Sequence, residues 1–303
     1  RGRGETTPLM AAAEGEHAEC VQALIEAKAS LEATCEDGFT ALLKALANGA
    51  TASAKVLVDA KADVFTKDEE GHTTLMFAVA AGEVELAHRF IEAKVDVDAQ
   101  QSEGQTALMC ALSQGQTECA QLLIDAKADV EAANEDGNTA LGVAVESGDA
   151  DIVRMLVDAK ARIESKGDNG ATALITAARY ERTECAELLL AAKAVIEAKD
   201  NDGATALIRA ARSHHDECTQ FLIDAKADIE ARNNDGATAL IFCAAEGFHV
   251  PARALLNAKA NLEARNNKGQ TALIAAASIN HPPPTEFLLS AKADVEAKDD
   301  NGD

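Results

Sequence analysis

Nine leucines, Leu9, Leu42, Leu75, Leu108, Leu141, Leu174, Leu207, Leu240 and Leu273, follow one another at a constant interval of 33 residues, with no insertion or deletion. From the second onward each follows Gly-x-Thr-x, as in Gly38-Phe39-Thr40-Ala41-Leu42 and Gly203-Ala204-Thr205-Ala206-Leu207. A segment of this length cannot bury an apolar face by itself. Nine in-phase copies therefore demand that each lean on the next, as in a repeat array, and exclude one large globular core.

The fourth unit shows what each copy encodes. Thr106 stands before an apolar stretch running through Ala111 and Leu112, where a threonine hydroxyl can cap a helix. Gly115 ends that helix, since glycine tolerates the left-handed conformation found at helix ends. Cys119, Leu122, Leu123 and Ala126 recur at three- and four-residue spacing, which predicts a second helix over 117–126. An extended segment over 128–136 then leads to the turn at Gly137. Each unit thus reads as helix, turn, helix and projecting loop. Pro251 fits only in the first turn of a helix. Pro282, Pro283 and Pro284 predict a late start for the last second helix, because proline removes backbone donors.

Composition agrees with stacking. Apolar residues make up 47% of the chain but aromatic ones only 3%, so small side chains must fill the core. The net charge of −23 argues against nucleic acid and against anionic membrane surfaces. That charge is uneven: residues 1–160 hold 12 basic and 29 acidic side chains, residues 161–269 hold 14 and 16. No apolar run reaches membrane-span length, and no signal peptide is visible. Seven cysteines without a CxxC pair suit a reducing compartment, which makes the cytoplasm the expected location, with the nucleus open. Cys20, Cys119, Cys185 and Cys218 share one repeat position with Leu86 and Ile152, and so read as buried hydrophobes. Cys110 and Cys243, inside first helices, read the same way, and Cys35 in a loop reads as the exposed thiol.

The run Asp202-Gly203-Ala204-Thr205-Ala206-Leu207-Ile208-Arg209-Ala210-Ala211, followed by Phe221-Leu222 and Lys226-Ala227-Asp228-Ile229-Glu230, resembles the ankyrin repeat pattern over essentially the whole chain. The resemblance implies an all-α solenoid of stacked helix-turn-helix units with β-hairpin-like loops, a single array over 1–303. The start at Arg1 and a tenth unit opening at Gly302 lead us to expect an excerpt of a longer chain. Two departures from the family pattern stand out. The family's asparagine after the D-V pair is Glu32, Phe65, Asp98, Glu131, Glu164, Glu197, Glu230, Glu263 and Glu296. The glycine after the second helix is lysine in all nine copies, from Lys28 to Lys292. If these lysines take the family's positive φ, each costs about 1 kcal/mol. A cation at a helix C-terminus returns about 0.3–1 kcal/mol. The two terms nearly cancel, and a functional lysine row along one edge is the alternative.

No phosphate-binding loop and no nucleophile–His–acid set is present, so the chain reads as a non-enzyme without cofactor. His214-His215-Asp216-Glu217 offers metal-ligand types, but neighbours on a helix start point apart, and we assign no metal. The resemblance places partners on loop tips and on the exposed side of the first helices. The tips read Phe39, His72, Gln105 and Asn138, then three alanines. The exposed helix positions carry Arg179, Tyr180, Arg209 and Arg212, with Arg182, His214 and His215 nearby. Paired guanidinium groups can grip carboxylates, and Tyr and Arg are enriched at binding hot spots. The competing expectation is that these arginines pair with Glu181, Glu184 and Asp216. The reading is a monomeric protein–protein interaction scaffold for an acidic peptide or surface. The alternative is a regulatory or targeting module of a larger enzyme or ion channel.

Overall fold

A computed structural model describes residues 6–167, 169–279 and 282–300. The start of a tenth unit at Gly302 lies outside them. The described chain is all-helical: α1 (Pro8–Glu14), α2 (Ala18–Glu26), α3 (Ala41–Ala47), α4 (Thr51–Asp59), α5 (Thr74–Ala80), α6 (Val84–Glu92), α7 (Ala107–Ser113), α8 (Thr117–Asp125), α9 (Ala140–Ser147), α10 (Ala150–Asp158), α11 (Ala173–Arg179), α12 (Thr183–Ala191), α13 (Ala206–Arg212), α14 (Asp216–Asp224), α15 (Ala239–Glu246), α16 (His249–Asn257), α17 (Ala272–Ser278) and α18 (Pro282–Ser290). Odd and even members form the antiparallel hairpins that the period demands. Two compact units result, Arg1–Val143 with Asp158–Ala161, and Ala144–Val157 with Arg162–Asp303.

In the first unit α1, α3, α5 and α7 pack in chain order, and α2 packs on α4 and α6 on α8. In the second, α11, α13, α15 and α17 follow one another, as do α12, α14, α16 and α18. All nine marker leucines are buried. So are Ala45, Ala78, Ala111, Ala144, Ala177, Ala210 and Ala276, with Cys243 in the same register. Small side chains at this position let neighbouring helices approach closely, which explains the alanine-rich, aromatic-poor core.

Threonine caps open the first helices: the Thr106 hydroxyl accepts from the Met109 N–H at 3.3 Å, and Thr40, Thr73, Thr205, Thr238 and Thr271 repeat the contact. Gly115 has φ 66°, as its place at the helix end requires, whereas Glu181 and His214 hold the equivalent left-handed position without being glycine. The loops are less strand-like than expected. Among the described residues they form only two isolated antiparallel bridges, Lys67 with Thr73 and Ala133 with Thr139. Two bonds close each turn, such as Asp200 N–H to the Ala204 carbonyl (3.1 Å) and Gly203 N–H to the Asp200 carbonyl (2.9 Å), and a further bond runs to the neighbouring loop. Asn234 N–H donates to the Asp202 carbonyl at 2.8 Å, and Asn267 N–H to that of Asp235 at 2.8 Å. At Gly203 the backbone has φ 73°, and a side-chain carbon there would lie 2.9 Å from the Asn234 nitrogen. Positive φ and loop stacking together leave room for nothing larger than glycine.

Side chains reinforce the stacking and account for the departure at the asparagine position. The carboxylates of Glu32, Asp98, Glu164, Glu197, Glu230 and Glu263 each accept a backbone N–H from 31 residues further on, at 2.7–2.9 Å. Phe65 cannot do so, and its ring is 63% exposed. In the second unit Lys166, Lys199 and Arg232 each donate to the carbonyl 33 residues on, at 2.8–2.9 Å, and Arg265 donates to the Lys298 carbonyl.

Two sequence expectations need correction. α18 begins at Pro282, in register with the other second helices rather than late. Residues of a first helical turn have no intrahelical acceptor to lose, so prolines there are tolerated. Pro251, third in α16, obeys the same rule. The cysteine at the shared repeat position is buried in Cys119, Cys185 and Cys218 but exposed in Cys20, where no preceding hairpin stands among the described residues to cover it. Cys35 is half-buried, and Cys110 is half-exposed because its position lies on the open side of the first helix.

All nine lysines after the second helices have positive φ, between 65° and 70°. Lys127 N–H donates to the Ile124 carbonyl and Ala128 N–H to that of Leu123, both at 3.0 Å, which is a Schellman end with lysine in glycine's place. The Lys127 side chain is exposed. We expect Lys127→Gly to shift unfolding free energy by less than about 1 kcal/mol either way. Lys127→Ala keeps the strain, loses the charge and should destabilise by about 0.5 kcal/mol. Urea denaturation reads both, and a larger loss in the glycine variant would refute the cancellation.

Candidate functional site

The open sides of α11, α13 and α15 carry the second unit's most concentrated polar chemistry. Arg179 and Arg212 close α11 and α13 at equivalent repeat positions, and both are exposed. The expected pairs with Glu181, Glu184 and Asp216 are not formed. Instead, the guanidinium carbon of Arg179 lies 5.7 Å from the Tyr180 ring centre, and that of Arg212 lies 5.5 Å from Phe242 in the next hairpin. An aromatic face attracts a guanidinium without neutralising it, so the charge stays available to a carboxylate. Neither takes part in an ion pair among the described residues.

Two of the three carboxylates expected to bind them face histidines instead, with Asp216 3.9 Å from His214 Nε2 and Glu181 beside His215. His215 donates through Nε2 to the Arg179 carbonyl at 2.8 Å, and its Nδ1 lies 3.4 Å from Glu181. His214 stacks on Phe248, with centroids 4.5 Å apart and planes within 5°. Tyr180 is 39% exposed, and burial followed by a hydrogen bond to Glu146 raises its hydroxyl above the ordinary tyrosine range. Arg182 is held by the Glu146 carbonyl at 3.2 Å.

Arg209 belongs to a different arrangement. Its Nε donates to Asp200 and a terminal nitrogen to Asp202, each at 2.6 Å. Asp200 also accepts from the backbone of Asp202 and Ala204 and is buried. Arg209 therefore fastens the loop to its own helix. The structure brings Arg179, Tyr180, Arg212 and His214 to one surface, adds Phe242 and Phe248, which sequence reasoning did not name, and ties Arg209 to the loop beside it. Phe242 occupies the repeat position of Arg209, one unit on, which is the signal that could have placed it on the open side.

In the first unit the loop tips behave differently. The Phe39 ring lies 5.7 Å from Phe77 of α5, and His72 lies 5.5 Å from the same ring. Asp68 orients His72, accepting from its backbone N–H at 2.8 Å and meeting Nδ1 at 3.0 Å. Glu70 stands 3.6 Å from the same Nδ1, so Asp68, Glu70 and His72 bring three potential metal-ligand types together. With both Asp68 oxygens engaged by His72, the trio reads as a device that aims the imidazole. Lys44 sits over Phe39 at 5.4 Å and 3.7 Å from Glu14. Gln105 and Asn138 close their own loops, through the Gln105 carbonyl and the Asn138 N–H.

Thiol chemistry is remote from both surfaces' needs: burial pushes Cys218 and Cys243 up to about 12. Brief iodoacetamide treatment near pH 8 should alkylate Cys20 first and leave Cys218 and Cys243 unmodified until the chain unfolds, as peptide mass spectrometry will show. Arg209→Ala strands the buried Asp200 carboxylate and should destabilise by about 2–4 kcal/mol, against under about 1 kcal/mol for Arg212→Ala. Equal losses in thermal or urea unfolding would contradict the division of roles drawn above.

No curated protein matches the chain. A family model described as ankyrin repeats (3 copies) matches residues 2–68, 75–167, 158–233 and 226–299. Among solved structures, the ankyrin repeat domain of Bcl-3, "a unique member of the IkappaB protein family", is 27% identical with a TM-score of 0.65, and the match covers 73% of this chain and all of that one. The human ASB11 ankyrin repeat domain is 25% identical with a TM-score of 0.65, over 73% of this chain and 98% of that one.

Proposed function

The chain belongs to the ankyrin repeat family, and from that premise we propose that it is a non-catalytic protein-binding scaffold whose second unit receives a carboxylate-rich segment of another protein. One observation carries the reading. Arg179 and Arg212 occupy the same place in adjacent hairpins, and each rests on an aromatic ring rather than on a carboxylate. A guanidinium so held has surrendered rotamer freedom before binding, and no carboxylate of the described residues engages its fork of donors. Two of them, one repeat apart, suit a segment presenting carboxylates at a matching interval, gripped bidentately. Tyr180, Phe242 and the stacked His214–Phe248 pair add half-exposed aromatic surface beside the charges, which is the composition of a hot spot rather than of a solvated helix face. No helix among the described residues is long and apolar enough to cross a membrane, and the acidic balance of the chain works against nucleic acid.

The test uses a fluorescein-labelled peptide of alternating glutamate and glycine. Anisotropy should show binding that weakens as salt rises. Replacing Arg179→Glu together with Arg212→Glu should lower affinity by about 100-fold. An unchanged affinity would mean that the two arginines serve the fold alone.

A further inference from the structure

We propose that the first unit carries a second, chemically opposite docking surface, one that takes an arginine-rich segment of a partner protein on the rings of Phe39, Phe77 and His72. It shares with the reading above only the premise of a binding scaffold, and none of its residues. The Phe77 ring contacts both the Phe39 ring of the preceding repeat and the His72 ring of its own, and all three are half-buried. They form a continuous aromatic platform in a chain where aromatic residues are scarce. The platform already demonstrates its preference: the chain's own Lys44 ammonium lies over the Phe39 ring. A guanidinium would use the same faces better, since it stacks flat and keeps its edge free for carboxylates.

Those carboxylates are in place. Asp37, Glu70 and Glu103 hold the same position in three consecutive loops, and all are exposed. Their carbonyls accept the backbone N–H groups of Glu69 (3.1 Å), Ser102 (2.7 Å) and Glu135 (2.9 Å), so the loops stand in register and the carboxylates form a row. None of the three meets a lysine or arginine among the described residues, and only Glu70 meets a cationisable group, His72 at 3.6 Å. Loop contacts that use lysine and arginine in the second unit are here made without them. With 29 acidic and 12 basic side chains over residues 1–160, the surroundings repel an acidic segment and attract a basic one. Charge thus selects the occupant, and the aromatic rings give it a defined seat.

A labelled peptide of alternating arginine and glycine is the probe, with anisotropy read at about 50 and about 300 mM salt on the 303-residue chain. The intact protein should bind it. Phe39→Leu, which keeps apolar volume but removes the ring, should weaken binding by about tenfold, and Phe39→Ala at least as much. Glu70→Gln with Glu103→Gln should weaken binding and flatten its salt dependence. Arg179→Glu with Arg212→Glu should bind the arginine peptide no more weakly. Equal affinity in the intact chain and Phe39→Leu would overturn the proposal, since attraction to net charge alone would then explain it. Loss of binding only in the arginine variants would overturn it as well. The glutamate peptide reports separately on the second unit, so either surface can fail while the other stands.

Discussion

Everything in this chain depends on one constraint: a 33-residue hairpin has too little apolar surface to close over itself, and must share its face with the next. The marker leucines and the alanine series meet that demand on the helices. Loop-to-loop bonds meet it at the tips, where backbone groups that would otherwise pair within a β-ladder pair with the neighbouring repeat. Because each contact is made with an adjacent copy, every repeat must present the same surface at the same height. That requirement explains an uninterrupted 33-residue spacing more directly than any property of a single unit.

Register also explains which substitutions the chain accepts. Glutamate where the family pattern has asparagine reaches a backbone N–H in the following repeat. Lysine in place of glycine adopts the same left-handed backbone nine times. A cation near a helix C-terminus offsets such strain on the electrostatic argument given above, and the exposed lysine side chain lets it do so without burying charge. Phe65 breaks the carboxylate ladder once and leaves a ring exposed. The structure offers no contact that compensates.

The fold was legible in the sequence because periodicity is a property of the chain as a line. Helix positions, threonine caps and the burial of Cys119, Cys185, Cys218 and Cys243 all follow from phase. What phase could not show is where one repeat differs from the rest. Cys20 has the right phase but no covering neighbour among the described residues. The three prolines looked disruptive because local propensity counts lost donors without asking whether those donors had acceptors. The candidate site was legible only in part for the same reason. Arg209 and Arg212 look alike in sequence, but Arg209 lies within reach of Asp200 and Asp202 while Arg212 meets Phe242. The distinction rests on contacts between positions whose repeat phase alone does not reveal their chemistry.

The uneven charge of the two halves gains its meaning from this distinction. The near-neutral stretch over 161–269 suggests a basic binding face, yet Lys166, Lys199, Arg232 and Arg265 are engaged in loop-to-loop bonds and Arg209 is clamped. Among the exposed cations that remain, Arg179 and Arg212 stand out because aromatic rings, not carboxylates, hold them. In the first half the loops stack on backbone bonds with fewer cationic side chains, so their carboxylates stay unneutralised. One structural task, keeping loops in register, is thus solved with different side chains in the two units. The binding chemistry each unit can offer is what that solution leaves over.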